Sequence, residues 1–337
     1  MPELPEVQTI ISDLNKKIVG DSIVDFWSDW PKTIKKNGKS ASSARLAAKR
    51  ADDFTREIKN RKILRARRIG KNLFIDLSGN KTLYIHLKMT GHLLIKSQIP
   101  ISKAQTNSKS KNPKIKNFFN DRVNQYIHHI FYLKSQKANL KTDAKKNKKF
   151  VDSPTFVGSN RYTLEFSDMR KFAKIVLDDT EKINNLPEIR NLGVDAMSKD
   201  FTLEKFGEII SKKSASRRSK PIGIVLMEQE LISGIGNIYR SEILFEAGIS
   251  PLRRTGKISE TETKKLYQSI QKVLKKAIKM RGTSDSDYRD TAGAPGSFQK
   301  VLKVYRLAGK KCPKCGTIIK RLKLGQRSAF YCPNCQK

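Results

Sequence analysis

The first residues of the chain combine a proline with two nearby carboxylates. Pro2 follows Met1 and is followed by Glu3 and then by Glu6. Removal of Met1 would expose the amine of Pro2, and an α-amino group has a pKa of about 7.7–8.0, against about 10.4 for a lysine. Such an amine can attack an electrophilic carbon and form an iminium, while the carboxylates move protons. The alternative is a frayed, polar N-terminus without chemistry.

All four cysteines lie near the end of the chain, in two Cys-x2-Cys pairs. Cys312 and Cys315 form the first pair, and Cys332 and Cys335 form the second. Four thiolates at this spacing suit tetrahedral coordination of one structural zinc ion in a closed site. A redox-active pair is the alternative, but two matched pairs are better explained by a metal. So few cysteines do not indicate the disulfide framework of a secreted protein.

Two other segments are candidates for binding phosphate. Residues 233–237 place Gly234 and Gly236 before a helix predicted from Ile238, with Asn237 at the N-cap position. Free amides at a helix N-terminus bind anions, so this loop is either a phosphate site or only a tight turn. Between the cysteine pairs, a basic hairpin suits phosphates or a groove, unless it is a solvated turn. Its basic residues are Lys320, Arg321, Lys323 and Arg327.

The elements that must position these residues change along the chain. The pattern up to residue 100 is strand-like after one leading helix, and a tight turn at 78–81 predicts a hairpin. After residue 185, apolar residues recur at helical spacing. The predicted strands cover 72–77, 82–87, 126–133, 161–166 and 173–178. The predicted helices cover 7–19, 201–211, 221–228, 238–247 and 259–280.

The composition restricts the class of protein. The chain has 337 residues, of which 37% are hydrophobic, and it carries 69 Lys and Arg against 32 Asp and Glu, for a net charge of +37. No apolar stretch reaches the roughly 18–20 residues of a membrane span, and no signal-peptide pattern opens the chain. So much positive charge indicates a polyanionic partner such as DNA, RNA or lipid. Composition therefore predicts a cytosolic polyanion-binding protein.

The positive charge is uneven along the chain, and residues 96–150 hold 14 Lys or Arg against only Asp121 and Asp143. The segments 102–117 and 134–153 are rich in Lys, Asn and Ser and have few aliphatic residues, which predicts long loops or disorder. We expect a multidomain α+β protein. Its parts are a β-rich domain at 1–185 with basic insertions at about 97–125 and 134–159, a helical domain at 186–300 and a metal-binding module at 301–337.

Several motifs together resemble those of the formamidopyrimidine-DNA glycosylase family, and they occur in the family's order. They are Pro-Glu-Leu-Pro-Glu-Val at 2–7, Arg-Ile-Gly-Lys at 68–71, His-Leu-Lys-Met-Thr-Gly at 86–91, Asp-Met-Arg-Lys-Phe at 168–172, Ser-Gly-Ile-Gly-Asn-Ile-Tyr at 233–239, the segments 282–284 and 295–299, and the four-cysteine finger. The resemblance covers most of the chain except the two insertions. It implies an N-terminal β-sandwich with a leading helix, a helix-two-turns-helix domain and a C-terminal β-hairpin zinc finger.

The resemblance implies a bifunctional DNA glycosylase and AP lyase of base excision repair. It would act as a monomer, in the bacterial cytoplasm and associated with the nucleoid, on double-stranded DNA containing 8-oxoguanine or formamidopyrimidines. Pro2 would attack C1′ of the everted nucleotide, Glu3 would move a proton at the deoxyribose ring oxygen, and Glu6 would support it. The iminium would then permit β- and δ-elimination. The residues that match phosphate contacts of the family are Lys71, His86, Asn237 and Arg327.

Three residues align with the family's trio that fills the void left by the everted base. They are Met89, Arg170 and Phe172, and Arg170 would hydrogen-bond the widowed cytosine. Taken singly, Met89 and Phe172 could be core residues and Arg170 a surface charge. The chain departs from the family at Lys88, where glycine is usual, and at Met169, where proline is usual.

Other functions compete with this one. An endonuclease VIII-type enzyme shares the fold but prefers oxidised pyrimidines, and Leu4, the trio and residues 282–299 favour the purine enzyme instead. A non-catalytic DNA- or RNA-binding relative would lack Pro2, Glu3 or Lys71, which are all present. An RNA-associated zinc-ribbon protein would account for the charge and the cysteines but not for the N-terminus.

Two features have no firm place in the family pattern. The lysine-rich insertions are predicted to raise non-specific DNA affinity, because each phosphate neutralised steepens the salt dependence by about 0.9. An unchanged salt slope after deletion of both insertions would contradict this prediction. Lys220 is the nearest candidate for a lysine that the family often carries in its middle domain.

Overall fold

The computed structural model describes residues 2–35, 41–97, 118–135, 161–214, 219–285 and 287–337. Its helices are α1 (Leu4–Lys17), α2 (Ala44–Ile58), α3 (Thr180–Asn184), α4 (Pro187–Arg190), α5 (Leu203–Ser214), α6 (Ile222–Val225), α7 (Asn237–Ala247) and α8 (Glu260–Lys279). Its strands are β1 (Ser22–Ser28), β2 (Ile34–Lys35), β3 (Arg61–Ile69), β4 (Asn72–Leu77), β5 (Lys81–His86), β6 (His92–Ser97), β7 (Ile127–Lys134), β8 (Arg161–Ser167), β9 (Lys174–Asp179), β10 (Val194–Asp195), β11 (Ile232–Ser233), β12 (Lys320–Leu324) and β13 (Arg327–Tyr331). The loops predicted at 102–117 and most of 134–153 lie outside these residues.

Helix α1 joins the two large parts of the protein. It begins at Leu4 rather than at the predicted residue 7, and Pro5 fits its first turn because a backbone donor is not needed there. Leu4 packs in the helical core, whereas Val7 and Leu14 pack in the core of the sheet. The N-terminus is therefore docked between two cores and is not frayed.

The predicted β-sandwich is confirmed. The nine strands described in the N-terminal part follow the order β2-β9-β5-β4-β3-β1-β7-β8-β6. Only two residue pairs connect β3 with β1, so the sheet folds there into two layers. Side chains from both layers share one core, with Leu73 and Ile175 from the first layer and Phe131 and Phe166 from the second. The predicted hairpin is present as the antiparallel pair β4–β5.

One helix contradicts the strand-like pattern predicted before residue 100. Helix α2 begins after Ser43, whose hydroxyl accepts a hydrogen bond of 3.2 Å from the amide of Leu46. Ala47, Phe54 and Ile58 are buried along one face. This spacing of seven and then four residues is helical and, with the serine cap, was the available signal.

The C-terminal half packs α5, α7 and α8 around a second core that includes Phe206, Tyr239 and Leu266. The helix predicted at 221–228 is a single turn, α6, because the following amides of Met227 and Glu228 bond three residues back in tight turns. The last cysteine pair follows the hairpin β12–β13, because β13 ends at Tyr331 and Cys332 is the next residue. The predicted domain boundaries stay a prediction, and Tyr288 packs in the core of the sandwich.

A search for membrane-spanning helices within the described ranges finds none of sufficient length and apolarity.

Candidate active site and DNA-facing cleft

A cleft of about 970 Å³ opens where the sandwich, the helical part and the zinc module meet. Among its lining residues, five are sequence-predicted site residues, drawn from all three parts. They are Glu3, Met89, Arg170, Asn237 and Arg327. Such a polar cleft between layers is the usual place for a binding site.

Glu3 occupies the N-terminus of α7. Its carboxylate accepts hydrogen bonds of 2.9 Å from the amides of Gly236 and Ile238, and one of 3.4 Å from Tyr239. The prediction that these amides are free for a phosphate is therefore wrong, since a carboxylate of the protein takes the anion position. The N-cap residue is Gly236, and Asn237 is the first residue of the helix. Backbone donors and the helix dipole together fix the carboxylate beside Pro2.

Glu6 lies behind Glu3 and is fully buried. Its carboxylate accepts hydrogen bonds from the Tyr239 hydroxyl at 2.5 Å, the Thr283 amide at 2.7 Å and the Glu3 amide at 2.7 Å. Burial, and then the negative charge of Glu3, raises the pKa of Glu6 to about 7. Glu6 thus titrates near neutral pH and ties together α1, α7 and the segment after α8.

Two glycines allow these carboxylates to sit so close to backbone. A Cβ on Gly236 would lie 2.3 Å from the carboxyl carbon of Glu3, and a Cβ on Gly282 would lie 2.7 Å from Glu6 Oε1. Gly282 also has φ +80°. Any side chain at either position would displace a site carboxylate.

Lys71 stands in the turn between β3 and β4. Its Nζ donates a hydrogen bond of 2.9 Å to the carbonyl of Ile235, so the lysine reaches the loop before α7. Burial lowers its pKa, against the opposing charge of Glu3. The turn is held by Asp195, which accepts from the Gly70 amide at 2.6 Å and pairs with Arg68.

Arg240, which the sequence did not single out, connects Asn237 to the hairpin that carries Arg327. Arg240 is buried, and its Nη2 donates to Asn237 Oδ1 at 2.6 Å and to the carbonyl of Ser328 at 2.9 Å. Arg240 therefore joins the start of α7 to the hairpin that presents Arg327. Burial lowers its pKa to about 10, so the guanidinium stays charged at neutral pH.

The predicted trio lies on two adjacent turns, and its side chains are exposed rather than in the core. Met89 is 38% exposed and Phe172 is 53% exposed, and the Arg170 guanidinium lies 4.9 Å from the centre of the Phe172 ring. The buried carboxylate of Asp168 accepts 2.9 Å hydrogen bonds from the amides of Phe172 and Ala173. Asp168 also accepts from the hydroxyl of Thr90. One carboxylate thus fixes the backbone of the turn that carries Phe172 and ties it to the Thr90 side chain of the turn that carries Met89.

The departure at Lys88 has a visible conformational counterpart. Lys88 has φ +54°, in the left-handed region that favours glycine, which is the residue the family usually carries. Its amide donates to His86 Nδ1 at 3.0 Å, which places the proton of the neutral ring on Nε2. Burial lowers the pKa of His86, as do the charges of Lys88 and Lys71.

The four cysteines form the expected metal site. All four Sγ atoms lie within 4.8 Å of one another, with 3.8 Å between Cys312 and Cys335 and 3.4 Å between Cys315 and Cys332. Zinc–sulfur bonds of about 2.3 Å in a tetrahedron place sulfurs about 3.8 Å apart, so the set fits zinc. The ion would hold the hairpin that carries Arg327.

The remaining predicted residues have varied positions. Pro2 is buried beside Glu3, and Met1 lies outside the described residues. Lys220 pairs with Glu228 at 2.6 Å. Tyr239 and Asp168 were within quoted motifs but received no role, because a motif does not show which partner a side chain reaches. The isolated basic residue in an apolar helix was the available signal for Arg240.

Comparisons with known families agree with this geometry. The profile of the formamidopyrimidine-DNA glycosylase N-terminal domain matches residues 1–175, and that of the formamidopyrimidine-DNA glycosylase H2TH domain matches 192–289. The profile of a zinc finger found in FPG and IleRS matches residues 309–337.

Individual relatives match over their whole length. A formamidopyrimidine-DNA glycosylase of Carboxydothermus hydrogenoformans is 35% identical, with 100% of each chain covered. One of Pelotomaculum thermopropionicum is 34% identical, over 100% of this chain and 99% of the relative. A solved complex of Lactococcus lactis Fpg with DNA containing an abasic site has a TM-score of 0.72 at 26% identity, with 100% of both chains covered. Wild-type Lactococcus lactis FPG with DNA containing an oxidised pyrimidine has a TM-score of 0.71 at 26% identity, again over 100% of both chains.

Proposed function

The chain belongs to the formamidopyrimidine-DNA glycosylase family, and we propose that Pro2 is its nucleophile in the excision of oxidised purines from duplex DNA. It is a DNA glycosylase of base excision repair and carries one structural zinc ion. The observation that supports Pro2 is the position of Glu3, held by the amides of α7 and facing the cleft. A nucleotide everted into this cleft would bring C1′ to the amine and the ring oxygen to the carboxyl group.

The proposed chemistry balances at each step. The Pro2 nitrogen forms a bond to C1′ as the bond from C1′ to the base breaks, and the proton that the Pro2 nitrogen loses leaves with the base. Glu3 delivers a proton to the sugar ring oxygen, the bond from that oxygen to C1′ breaks, and the iminium results. Loss of the C2′ proton to solvent then expels the 3′ phosphate, and loss of the C4′ proton in a second elimination expels the 5′ phosphate. Water hydrolyses the remaining iminium, which releases the sugar fragment and restores the Pro2 amine.

Glu6 acts through Glu3 in this scheme. Its carboxylate accepts a hydrogen bond of 2.7 Å from the Glu3 amide and therefore fixes the backbone that carries the proton donor. Its pKa of about 7 allows it to be protonated or ionised with little cost at neutral pH. Glu6 is thus a positioning residue that tolerates the changes of charge on its neighbour.

The DNA backbone would be held by four polar residues around the cleft, with the apolar side chains entering the stack. Met89 and Phe172 would replace the everted base, and Arg170 would face the widowed cytosine. The phosphate contacts are proposed for Lys71, His86, Asn237 and Arg327. The protein would act as a monomer, in a bacterial cytoplasm and on the nucleoid.

Reductive trapping tests the nucleophile. The full-length protein, with its N-terminal mass measured, is incubated with a duplex carrying one 8-oxoguanine opposite cytosine, and borohydride is added. We expect a covalent adduct whose link maps to Pro2, and no adduct on the undamaged duplex. Tight binding of the lesion duplex without any adduct would contradict the proposal and indicate a lesion-binding protein.

Oxidised pyrimidines are the second candidate substrates, because the Lactococcus lactis relative was solved with DNA containing such a lesion. The same trapping on a duplex with thymine glycol separates the two. We expect faster single-turnover trapping on 8-oxoguanine. Faster trapping on thymine glycol would assign the chain the pyrimidine preference.

A further inference from the structure

A short segment of the first predicted insertion lies between two loops that border the cleft. This bridge segment, residues 118–126, contains two 3-10 turns at Phe118–Asn120 and Arg122–Gln125. On one side is the wedge turn, residues 167–173, which carries Arg170 and Phe172. On the other side is the C-terminal loop, residues 281–298, of which Asp285 and Asp287 line the cleft. The segment thus contacts two loops that border the cleft, through Ser167 and Asp168 on one side and Arg289 and Gly293 on the other.

Asn124 is the centre of the bridge segment and is fully buried. Its Nδ2 donates to the carbonyl of Gly293 at 3.1 Å and to that of Phe118 at 2.8 Å. Its Oδ1 accepts from His92 Nε2 at 2.8 Å. The two carbonyls fix the amide orientation, because the flipped amide would place oxygen against oxygen. Asn124 therefore holds the tip of the C-terminal loop from the N-terminal part of the chain.

His92 continues the network towards the wedge turn. Its Nδ1 lies 3.1 Å from the carbonyl of Thr90, whose hydroxyl donates to Asp168. Burial lowers the pKa of His92, and the charge of Arg289 adds to that, whereas the bonds to Thr90 and Asn124 and the carboxylate of Asp168 act in the opposite direction. In either protonation state the carbonyl acceptors keep Asn124 in place.

The bridge segment also contacts the wedge turn directly. The hydroxyl of Ser167 donates to the carbonyl of Val123 at 2.9 Å, and the amide of Asp168 donates to the carbonyl of Tyr126 at 2.9 Å. Asp168 is the residue that fixes the backbone of Arg170 and Phe172. A shift of the bridge segment would therefore shift the start of the wedge turn.

The contact with the C-terminal loop has two parts. An ion pair joins Arg289 to Asp121, with 2.7 Å between Nη2 and Oδ2. Gly293, at φ +75°, lies so close that a Cβ there would be 2.7 Å from Asn124 Nδ2. The close fit of Gly293 on Asn124 leaves no room for the loop tip to move towards the sandwich.

We propose that Asn124 is a positioning residue for base excision, which joins the C-terminal loop to the wedge turn so that both act on one everted nucleotide. This inference rests on the proposed function. The wedge turn enters the space that the base leaves, and the C-terminal loop borders the cleft that receives the base. Two loops distant in sequence need a fixed spacing for this, and the network from Asp168 through His92 and Asn124 to Gly293 sets it.

A comparison of two substrates tests the proposal. Single-turnover cleavage is measured on an 8-oxoguanine duplex and on a duplex with a preformed abasic site, which carries no base to hold. We expect Asn124→Ala to slow excision of 8-oxoguanine about tenfold and abasic-site cleavage by no more than about twofold. The matched control is Gln125→Ala, because Gln125 is exposed in the same 3-10 turn and its Nε2 donates a hydrogen bond to the carbonyl of Phe119, within the same segment.

A second variant distinguishes loss of the contact between Asn124 and Gly293 from a general loss of folding. Gly293→Ala perturbs the same contact from the other side, so the double variant with Asn124→Ala should be no slower than the slower single variant. Equal slowing on both substrates, no slowing, or fully additive effects would overturn the inference while leaving the proposed function intact. A wild-type protein inactive on both duplexes would instead overturn the proposed function, and this inference with it.

Discussion

Glu3 and Glu6, which we call the proton-handling site after their proposed role, are held through their side chains, whereas the wedge turn is held through its backbone. Glu3 and Glu6 are 3% and 1% exposed, and their carboxylates themselves accept hydrogen bonds from α7 and the C-terminal loop. Met89 and Phe172 are far more exposed, and in the wedge turn it is the backbone amides of Phe172 and Arg170, not the side-chain tips, that donate hydrogen bonds to Asp168 and Thr90. A proton donor must be placed to a fraction of an ångström before the substrate arrives. An intercalating side chain meets a surface that exists only after the base leaves the stack.

This difference explains why one site tolerates less change than the other. At Glu3, the close approach of Gly236 and the three amides leave no alternative position for the carboxylate. At Phe172, the Arg170 guanidinium lies over one face of the ring, and more than half of the residue is exposed to solvent. We therefore expect substitutions at the proton-handling site to stop the chemistry and substitutions at the wedge turn to weaken base eversion.

Glu3→Gln should have the largest effect. Glutamine keeps the shape of glutamate but cannot transfer a proton. Its side-chain NH2 group would also face the backbone N–H groups of Gly236 and Ile238, which need an acceptor. General acid–base groups contribute about 10²–10⁴-fold, so single-turnover excision of 8-oxoguanine should fall at least about 100-fold. Binding of the lesion duplex, measured by fluorescence anisotropy, serves as the control and should change little. Excision within tenfold of the wild type would contradict the role given to Glu3.

The pH dependence of stability tests the environment of the buried Glu6 carboxyl group. Burial raises the pKa of Glu6 in the folded protein to about 7, from an ordinary value of 4.5, so between these pH values the folded protein binds more protons than the unfolded chain. The free energy of unfolding should therefore fall as pH rises through this window, by about 3 kcal/mol in all. Glu6→Gln lacks this contribution and is the reference. Urea unfolding from pH 4.5 to 7.5 that gives a constant difference between the two proteins would contradict the prediction.

The sequence predicted the site better than the contacts that build it. Residue type alone pointed to the zinc ligands, because paired Cys-x2-Cys motifs limit the chemistry. For Pro2 the residue types also allowed a frayed N-terminus, and the family resemblance carried the prediction of a nucleophilic amine. The anion position at α7 was also found, but its occupant was not, since Glu3 and Gly236 are distant in sequence and only packing of α1 brings them together.

Local patterns were similarly informative for regular elements and less so for tertiary partners. The bounds of β4 agree with the strand predicted from the β-rich run at 72–77, whereas α2 was missed because the many charges obscured its apolar face. Arg240 and Asn124 act through carbonyls of other segments, and Asp168 acts through backbone amides of its own turn; such backbone partners leave no trace in residue type.

Asp168→Ala tests whether the wedge turn depends on one buried carboxylate. The amides of Phe172 and Ala173 would lose their acceptor, which costs about 2–3 kcal/mol of stability. Met169→Ala is the matched control, because Met169 lies in the same turn and its side chain is exposed. Thermal and urea unfolding measure the change. A loss no greater than that of the control would show that the backbone of the turn is held by other contacts.

Phe172→Ala should have the smallest effect, and it completes the comparison because it removes only an exposed tip. Stability should change by no more than about 0.5 kcal/mol, since the ring is 53% exposed and Asp168 still holds the backbone. Excision of 8-oxoguanine should slow about tenfold, which corresponds to about 1.4 kcal/mol of lost stacking in the everted state. Cleavage of a preformed abasic site is the internal control and should stay within about twofold. Equal slowing on both substrates would mean that the ring supports the chemical steps themselves, and the proposed separation between proton handling and base eversion would not hold.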